Sequence, residues 1–406
     1  MQQGRISLRL AALLCAVLGL AGCTLSDSQK HDDIWSVWTR IDKSASATVF
    51  FATDRQRDAG APFGMGLHWG SAMTCGRSVV SNFAPTAATP PEIMPCQGAD
   101  AVEGQQIGGP AFAMSGFAAA VADEAHRRGC ASMLLYVHGF NTTFRTALLH
   151  TGQLSADVAW PCATALLSWS SEGQADRYAA DLERSAYAVP GLINLLRDVA
   201  DKGVRENVLA YSMGAHITLT AIATLGSFCE SRGTKIVQEL ILVAPDVNAE
   251  HDNDDFGRLL ERAAPCVERT TIYASDNDVV LVASEGFHGG VPRAGRVPNP
   301  DLQYRACARA NVDVIDASLA PGDDFGHGYF INSYEMMRDF RAVLAHQPLA
   351  SRVAATLTPP VAASLACPDG TRASAERYVL AVDPSRRPSW SRRFLRHVVP
   401  LIVPVQ

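Results

Sequence analysis

From residue 133 to residue 315 the chain alternates short apolar runs with longer stretches of helical spacing, and this alternation constrains the fold more than any other feature. After Met133 comes LLYVHGF; further apolar runs stand at 163–168, 207–210, 240–244, 269–274 and 312–315, and helical spacing fills 142–157, 178–201, 214–225 and 255–264. Strands covered on both faces read as near-continuous apolar runs, and parallel neighbours need helical crossovers between them. The pattern therefore predicts an α/β class with a mostly parallel central sheet and helices on both faces. Residues 47–52 (ATVFFA) predict a first strand, and residues 60–109, rich in Gly, Pro, Ala and Met without a clear period, predict strands and loops.

Composition narrows the class further. Of 406 residues, 48% are hydrophobic and 19% charged, which excludes a disordered or fibrous chain and supplies a sizeable core. The length allows two to three domains, or one large domain with appendages. A net charge of -6 gives no basic stripe with which to displace counterions from phosphates, so no nucleic-acid partner is expected.

At the N-terminus, Arg5 and Arg9 precede an apolar run, residues 10–20, that is short for a membrane span and right for a secretory signal. It ends Leu20-Ala21-Gly22-Cys23, which resembles the lipobox of bacterial lipoproteins. The resemblance implies cleavage before Cys23 and diacylglycerol on its sulfur, and Thr24 in place of Asp leans the anchor to the outer membrane, facing the periplasm. The expected organisation is a lipoprotein signal at 1–22, a polar tether at 23–46, the α/β domain at 47–346 and an Arg-rich extension at 347–406.

Removing residues 1–22 takes away two arginines and no acids, which leaves a charge of -8. Residues 371–406 hold seven arginines against two acids, so the remaining body is the more strongly acidic part. That tail either touches anionic headgroups or packs on its own acidic domain. Eight cysteines remain once Cys15 and Cys23 are set aside, and an even number outside the cytoplasm invites disulfides. Spacing alone leaves the pairing open; Cys75 with Cys96, and Cys130 with Cys162 ahead of two neighbouring strands, are the expected pairs. No CxxC occurs, so neither a zinc site nor a thioredoxin-like site is indicated.

Reactive groups in open α/β sheets sit beyond the carboxyl ends of the strands. After the strand at 207–210 comes Ala210-Tyr211-Ser212-Met213-Gly214, a G-x-S-x-G nucleophile elbow with Ala in place of the first glycine. Read as catalytic, Ser212 is the nucleophile; read as structural, it is a helix cap. A serine needs a base and an acid, in the chain order Ser, acid, His. Asp278 ends the strand at 269–274 and is the candidate acid; Asp246 in VAPDV is the alternative acid, and Asp276 a lesser one. His327, flanked by glycines in the loop after the last strand, is the candidate base. The N–H of Met213 and that of Phe140, third in the turn His138-Gly139-Phe140, are the candidate oxyanion donors. His138 reads as a brace for that turn and His216 as a helix-face residue. His251, Asp252, Asp254 and Asp255 lack calcium-loop spacing and read as a helix start. No phosphate loop or dinucleotide fingerprint is present, and neither metal nor cofactor is expected.

With these motifs in hand, VHGFN, SW with a serine two residues later, YxxDxxxS (Tyr178, Asp181, Ser185), YSMG, VAPDV, YASDND, HGGVPRAG and GHGYF together resemble the bacterial α/β-hydrolase family DUF900. Val49 to Arg55 (VFFATDR) resembles that family's opening strand, so the likeness covers about residues 47–346. It implies an α/β-hydrolase fold with Ser212, Asp278 and His327 in the catalytic places. Two positions depart from the family: Tyr211 stands where His is usual before the serine, and Ser170 where Pro is usual.

The expected activity is cleavage of small-molecule carboxylic esters or related acyl bonds through an acyl-enzyme, by a protein held at the membrane through lipid on Cys23. A non-catalytic envelope lipoprotein that uses the scaffold for binding is the alternative, and amide cleavage would use the same three residues.

Overall fold

The computed structural model describes residues 46–81, 88–98, 107, 110–250, 255–297, 311–322, 325–358, 364–365, 375–376, 378–383 and 385. Cys23 with its signal and tether, His251, Asp252, Asp254, Cys307, Cys367 and the tail beyond residue 385 lie outside them.

The chain opens with an antiparallel pair, β1 (Ser46–Arg57) and β2 (Met65–Ser81), followed by the short β3 (Glu92–Met94). Then come α1 (Ser115–Arg127), β4 (Ser132–Val137), α2 (Phe144–Asp157), β5 (Ala163–Ser168), α3 (Tyr178–Asp201) and β6 (Arg205–Tyr211). The alternation continues through α4 (Met213–Thr224), α5 (Gly226–Arg232), β7 (Val237–Val243), α6 (Asp255–Ala263), β8 (Val267–Ala274), α7 (Val279–Phe287) and β9 (Val312–Asp316). The C-terminal part contributes α8 (Tyr329–Asn332), α9 (Tyr334–Leu344), α10 (Leu349–Ala355), β10 (Leu357–Thr358), β11 (Ser364–Leu365), β12 (Ala375–Glu376) and β13 (Tyr378–Leu380).

Eleven of these strands form one sheet in the order β10-β13-β9-β8-β7-β6-β4-β5-β1-β2-β3, and the neighbours from β13 to β1 are all parallel. Apolar runs put alternate side chains on opposite faces. In β4, Met133, Leu135 and Val137 join one core with α1, α3, α4 and α6, while Leu134 and Tyr136 join the other with α2 and α9. From β4 the chain steps to β5 on one side, then returns to place β6 on the other. Such a reversal opens a crevice beyond the carboxyl ends of the two strands, and the loops after β4 and β6 line it.

Two regions were not legible. Where residues 60–109 show no period, β2 runs for 17 residues; its Gly66, Gly70 and Gly76 interrupt the alternation, and bulges break its register with β1 near Thr53, Arg55 and Arg57. Beyond residue 346, β10 and β13 extend the sheet edge, and the fully buried Arg352 of α10 pairs with Asp339 at 2.6 Å. Strands of two or three residues carry too little pattern to be read.

Cys75 bonds Cys96 across β2 and the residue pair after β3, and Cys130 bonds Cys162 at the amino ends of β4 and β5, as expected. A third disulfide, Cys229–Cys266, ties α5 to the start of β8. No helix among the described residues is long and apolar enough to cross a membrane.

Candidate active site

Ser212 sits between β6 and α4 with φ 53° and ψ -121°, a conformation that costs about 1–3 kcal/mol and persists only where the surroundings over-determine it. They do so here. The Ser212 N–H donates to the Val243 carbonyl at 2.9 Å, and its own carbonyl accepts from Ala215 and Asp246. Gly214 lets α4 cross the end of β4: a Cβ there would stand 2.4 Å from the His138 carbonyl oxygen and 2.6 Å from that of Val137. Ala210, in place of the first elbow glycine, is fully buried in the core, where a methyl group is accommodated.

The loop after β9 brings His327 over the serine. Its Nε2 lies 3.0 Å from Ser212 Oγ and its Nδ1 2.7 Å from Asp278 Oδ2. Asp278 is fully buried and caps α7, its other oxygen accepting the Leu281 N–H at 2.9 Å. The cap fixes the carboxylate, and the Val279 N–H, donated to the Phe325 carbonyl, holds the histidine loop beside it. Tyr211 packs its ring 4.9 Å from the His327 ring and donates its hydroxyl to the His327 carbonyl at 3.3 Å. A tyrosine at this position thus supports the backbone of the histidine.

The alternative acid points elsewhere. Asp246 receives Arg293 at 2.6 Å and Ser284 at 2.7 Å on one oxygen, and the Tyr178 hydroxyl at 2.6 Å on the other. Burial would raise its pKa, but the Arg293 charge and these hydrogen bonds outweigh burial and hold it below the ordinary value. Asp246 is a brace between β7, α3 and the segment after α7. Asp276 donates its N–H to Ser318 Oγ at the end of β8. Asp255 opens α6 and pairs with Arg258 at 2.7 Å, as a helix-start acid does.

Met213 is the first residue of α4, where an N–H has no carbonyl within the helix and the dipole favours negative charge. Phe140 follows Gly139 in the loop after β4, and Gly139 is pressed against Ser212: a Cβ on Gly139 would meet the serine Cβ at 2.9 Å. His138 is fully buried and stacks on Trp169 at 5.2 Å. Burial and then the Arg55 charge push its imidazole down to about 3, so it is neutral. Its Nδ1 donates to the Gly139 carbonyl at 2.8 Å, leaving Nε2 to accept from Ser168 Oγ at 3.3 Å. Both features make it the brace expected from the sequence. His216 lies on α4, its imidazole lowered by burial and by Arg293.

Beyond the loop, Phe140 meets Tyr178 edge to face at 5.3 Å and Tyr178 meets Phe287 at 5.1 Å, an aromatic wall whose outer member is exposed. Arg55 and Asp181, both buried, reach the same loop from behind. Their placement was signalled by charges next to an apolar strand and in a helix's first turn, but nothing in the spacing assigned them a role.

Among solved structures, the fold is similar to an esterase of Rhizomucor miehei, with 10% identity, 83% of this chain and 95% of that one covered, and a TM-score of 0.39. It is also similar to the dienelactone hydrolase of Anabaena variabilis (12% identity, 55% and 87% covered, TM-score 0.31) and to an esterase of Pyrobaculum calidifontis (15%, 53% and 75%, 0.31). No curated protein matches the chain. The profile of the family described as alpha/beta hydrolase of unknown function, DUF900, matches residues 116–346, more than half of the chain and the whole stretch from α1 to α9 that carries the crevice. With its parallel sheet, its elbow after β6 and this match, the chain belongs to the DUF900 family of α/β-hydrolases.

Proposed function

We propose that the protein is a serine hydrolase that cleaves small-molecule carboxylic esters or related acyl bonds through an acyl-enzyme. The observation that carries this reading is the hydrogen-bonded row Ser212–His327–Asp278, with distances of 3.0 and 2.7 Å. His327 takes the hydroxyl proton as Ser212 Oγ attacks the carbonyl carbon, and Asp278 holds the tautomer with the proton on Nδ1 and stabilises the imidazolium. The N–H groups of Met213 and Phe140 receive the oxyanion. His327 then returns the proton to the leaving alcohol, and water repeats the sequence on the acyl-enzyme. No cofactor enters this chemistry.

The reading is tested by fluorophosphonate labelling and by turnover of p-nitrophenyl acetate and butyrate. Label on Ser212, and activity lost in Ser212→Ala and His327→Ala, is the expected result. Absence of label, or equal background in all three proteins, would identify a non-catalytic binding protein instead.

We also propose that lipid on Cys23 holds the protein at the bacterial envelope, on the outer membrane facing the periplasm. The support is the sequence Leu20-Ala21-Gly22-Cys23 at the end of a short apolar run. Two or more acyl chains anchor stably, at about 0.8 kcal/mol per buried CH2. Replacing Cys23 by Ala should abolish incorporation of labelled palmitate and release the protein from the membrane fraction.

A further inference from the structure

The oxyanion site proposed above has one donor in a helix and one in irregular backbone. Met213 is fixed in place as the first residue of α4, but Phe140 belongs to the turn between β4 and α2. A catalytic donor has to be held within about 0.5 Å of its productive place by groups that are themselves locked. What locks this turn is a polar assembly on the side away from the serine.

Asp181, in the first turn of α3, is fully buried. One carboxylate oxygen accepts the Ser171 hydroxyl at 2.5 Å and faces the Asn141 N–H at 3.5 Å, and the other accepts the Glu172 N–H at 2.9 Å. Ser171 Oγ in turn accepts the Thr142 N–H at 3.0 Å. The two N–H groups that follow Phe140 are thus drawn to one carboxylate, directly or through one hydroxyl. Arg55, near the end of β1, donates to the Thr142 carbonyl at 2.7 Å and to the Ser171 carbonyl at 2.8 Å. Asn141, between these holds, has φ 56°, a left-handed conformation that reverses the chain just after Phe140. A turn of this shape is unfavourable for free backbone and has to be held.

We propose that Asp181, acting through Ser171, is a positioning residue for the reaction at Ser212: it fixes the turn that aims the Phe140 N–H at the oxyanion, with Arg55 holding the carbonyls of the same turn. The proposal rests on the reading of Ser212 as nucleophile. A carboxylate is suited to the place because all three groups that face it are donors. The amide of Asn would set its own N–H groups against one of them.

The experiment uses Ser171→Ala and Asp181→Asn, with p-nitrophenyl butyrate as substrate and a butyl trifluoromethyl ketone, which adds to a serine to form a tetrahedral oxyanion. Loss of a complete oxyanion donor costs about 10²–10³ in rate, so a misaimed one should cost about tenfold to a hundredfold in kcat, with KM changed less than about twofold. Ketone affinity should fall in parallel with kcat/KM across wild type and both variants. A loss confined to KM, a ketone affinity that does not follow kcat/KM, or unchanged kinetics in folded variants would overturn the proposal. If Asp181→Asn does not fold, Ser171→Ala decides, since it removes one hydroxyl and no charge. Should wild type itself give no Ser212-dependent turnover, the catalytic reading fails and takes this proposal with it. Active wild type with equally active variants refutes the positioning role alone.

Discussion

His327 turns its Nδ1 to Asp278 at 2.7 Å, while Asp246, one strand nearer to Ser212 in the sheet, has both carboxylate oxygens engaged by Arg293, Ser284 and Tyr178. The two acids therefore have separable roles. Asp278→Asn should lower kcat by about 10³–10⁴ with the fold intact, because the wrong tautomer of His327 is then favoured. Asp246→Ala should instead leave Arg293 buried and unpaired, at a cost of about 3–5 kcal/mol in stability. Steady-state kinetics beside urea unfolding of both variants checks the assignment, and exchange of the two phenotypes would reverse it.

Gly214 stands in a helix, where replacing Gly by Ala ordinarily stabilises by about 1 kcal/mol. Here the new methyl would lie 2.4 Å from a backbone oxygen of His138 and 2.6 Å from one of Val137, neither of which can rotate away. Gly214→Ala should destabilise the protein and displace Ser212 from His327, giving a lower unfolding midpoint together with loss of fluorophosphonate labelling. A more stable, fully labelled variant would show that α4 can lift off β4 without cost.

Stability should depend on pH through buried groups of opposite sign, Asp54 and His138 among them. Burial pushes the Asp54 carboxyl from 3.8 up to about 7, against the pull of Arg55. The folded state then holds a proton that the unfolded state has released, so stability falls by about 1.4 kcal/mol per pH unit as pH rises from about 4 to 7. His138, pushed from 6.5 down to about 3, acts in reverse: the unfolded state takes a proton that the folded state refuses, and stability is lost as pH falls through that window. In wild type the two contributions largely offset each other between pH 4 and 6.5. Asp54→Asn should leave the His138 contribution uncovered, so that its stability gains on wild type at about 1.4 kcal/mol per pH unit across the window. Parallel curves for the two proteins in urea titrations at several pH values would remove Asp54 from this account.

The Cys130–Cys162 disulfide closes a loop of 32 residues at the amino ends of β4 and β5, opposite the crevice. Chain entropy predicts a loss of about 3–4 kcal/mol when both cysteines are replaced by alanine. Turnover should stay within about twofold of wild type, because the loops that hold Ser212 and Phe140 lie at the other ends of these strands. Unfolding in urea and kinetics on the same preparation test both halves of the expectation.

The legible parts of the molecule were those written in local pattern. The helix expected at 178–201 coincides with α3, and each apolar run from β4 to β9 falls on a strand, with HGF after Val137 and Ala244 after Val243 lying just beyond the strand ends, because residues buried on both faces of a sheet must be apolar along most of their length. β2 escaped because its glycines answer to close approaches by other segments, and such approaches leave no period behind. β10 and β13 escaped because they exist only by pairing with each other and with β9.

By itself, the sequence determined the class of fold, the alternation of apolar strand and helix between β4 and β9, and the candidates Ser212, Asp278 and His327, since elbow residues and strand ends follow from local spacing. The tertiary structure decided what spacing does not encode. It set Asp278 rather than Asp246 against His327, gave Asp246 to Arg293, and gathered Arg55, Ser171 and Asp181, from three separate segments, behind the loop of Phe140. Ser171 and Asp181 lie 10 residues apart, but the other partners, 47 to 116 residues apart, are chosen by the sheet order and by the register of its strands, and these emerge only when the whole chain is packed.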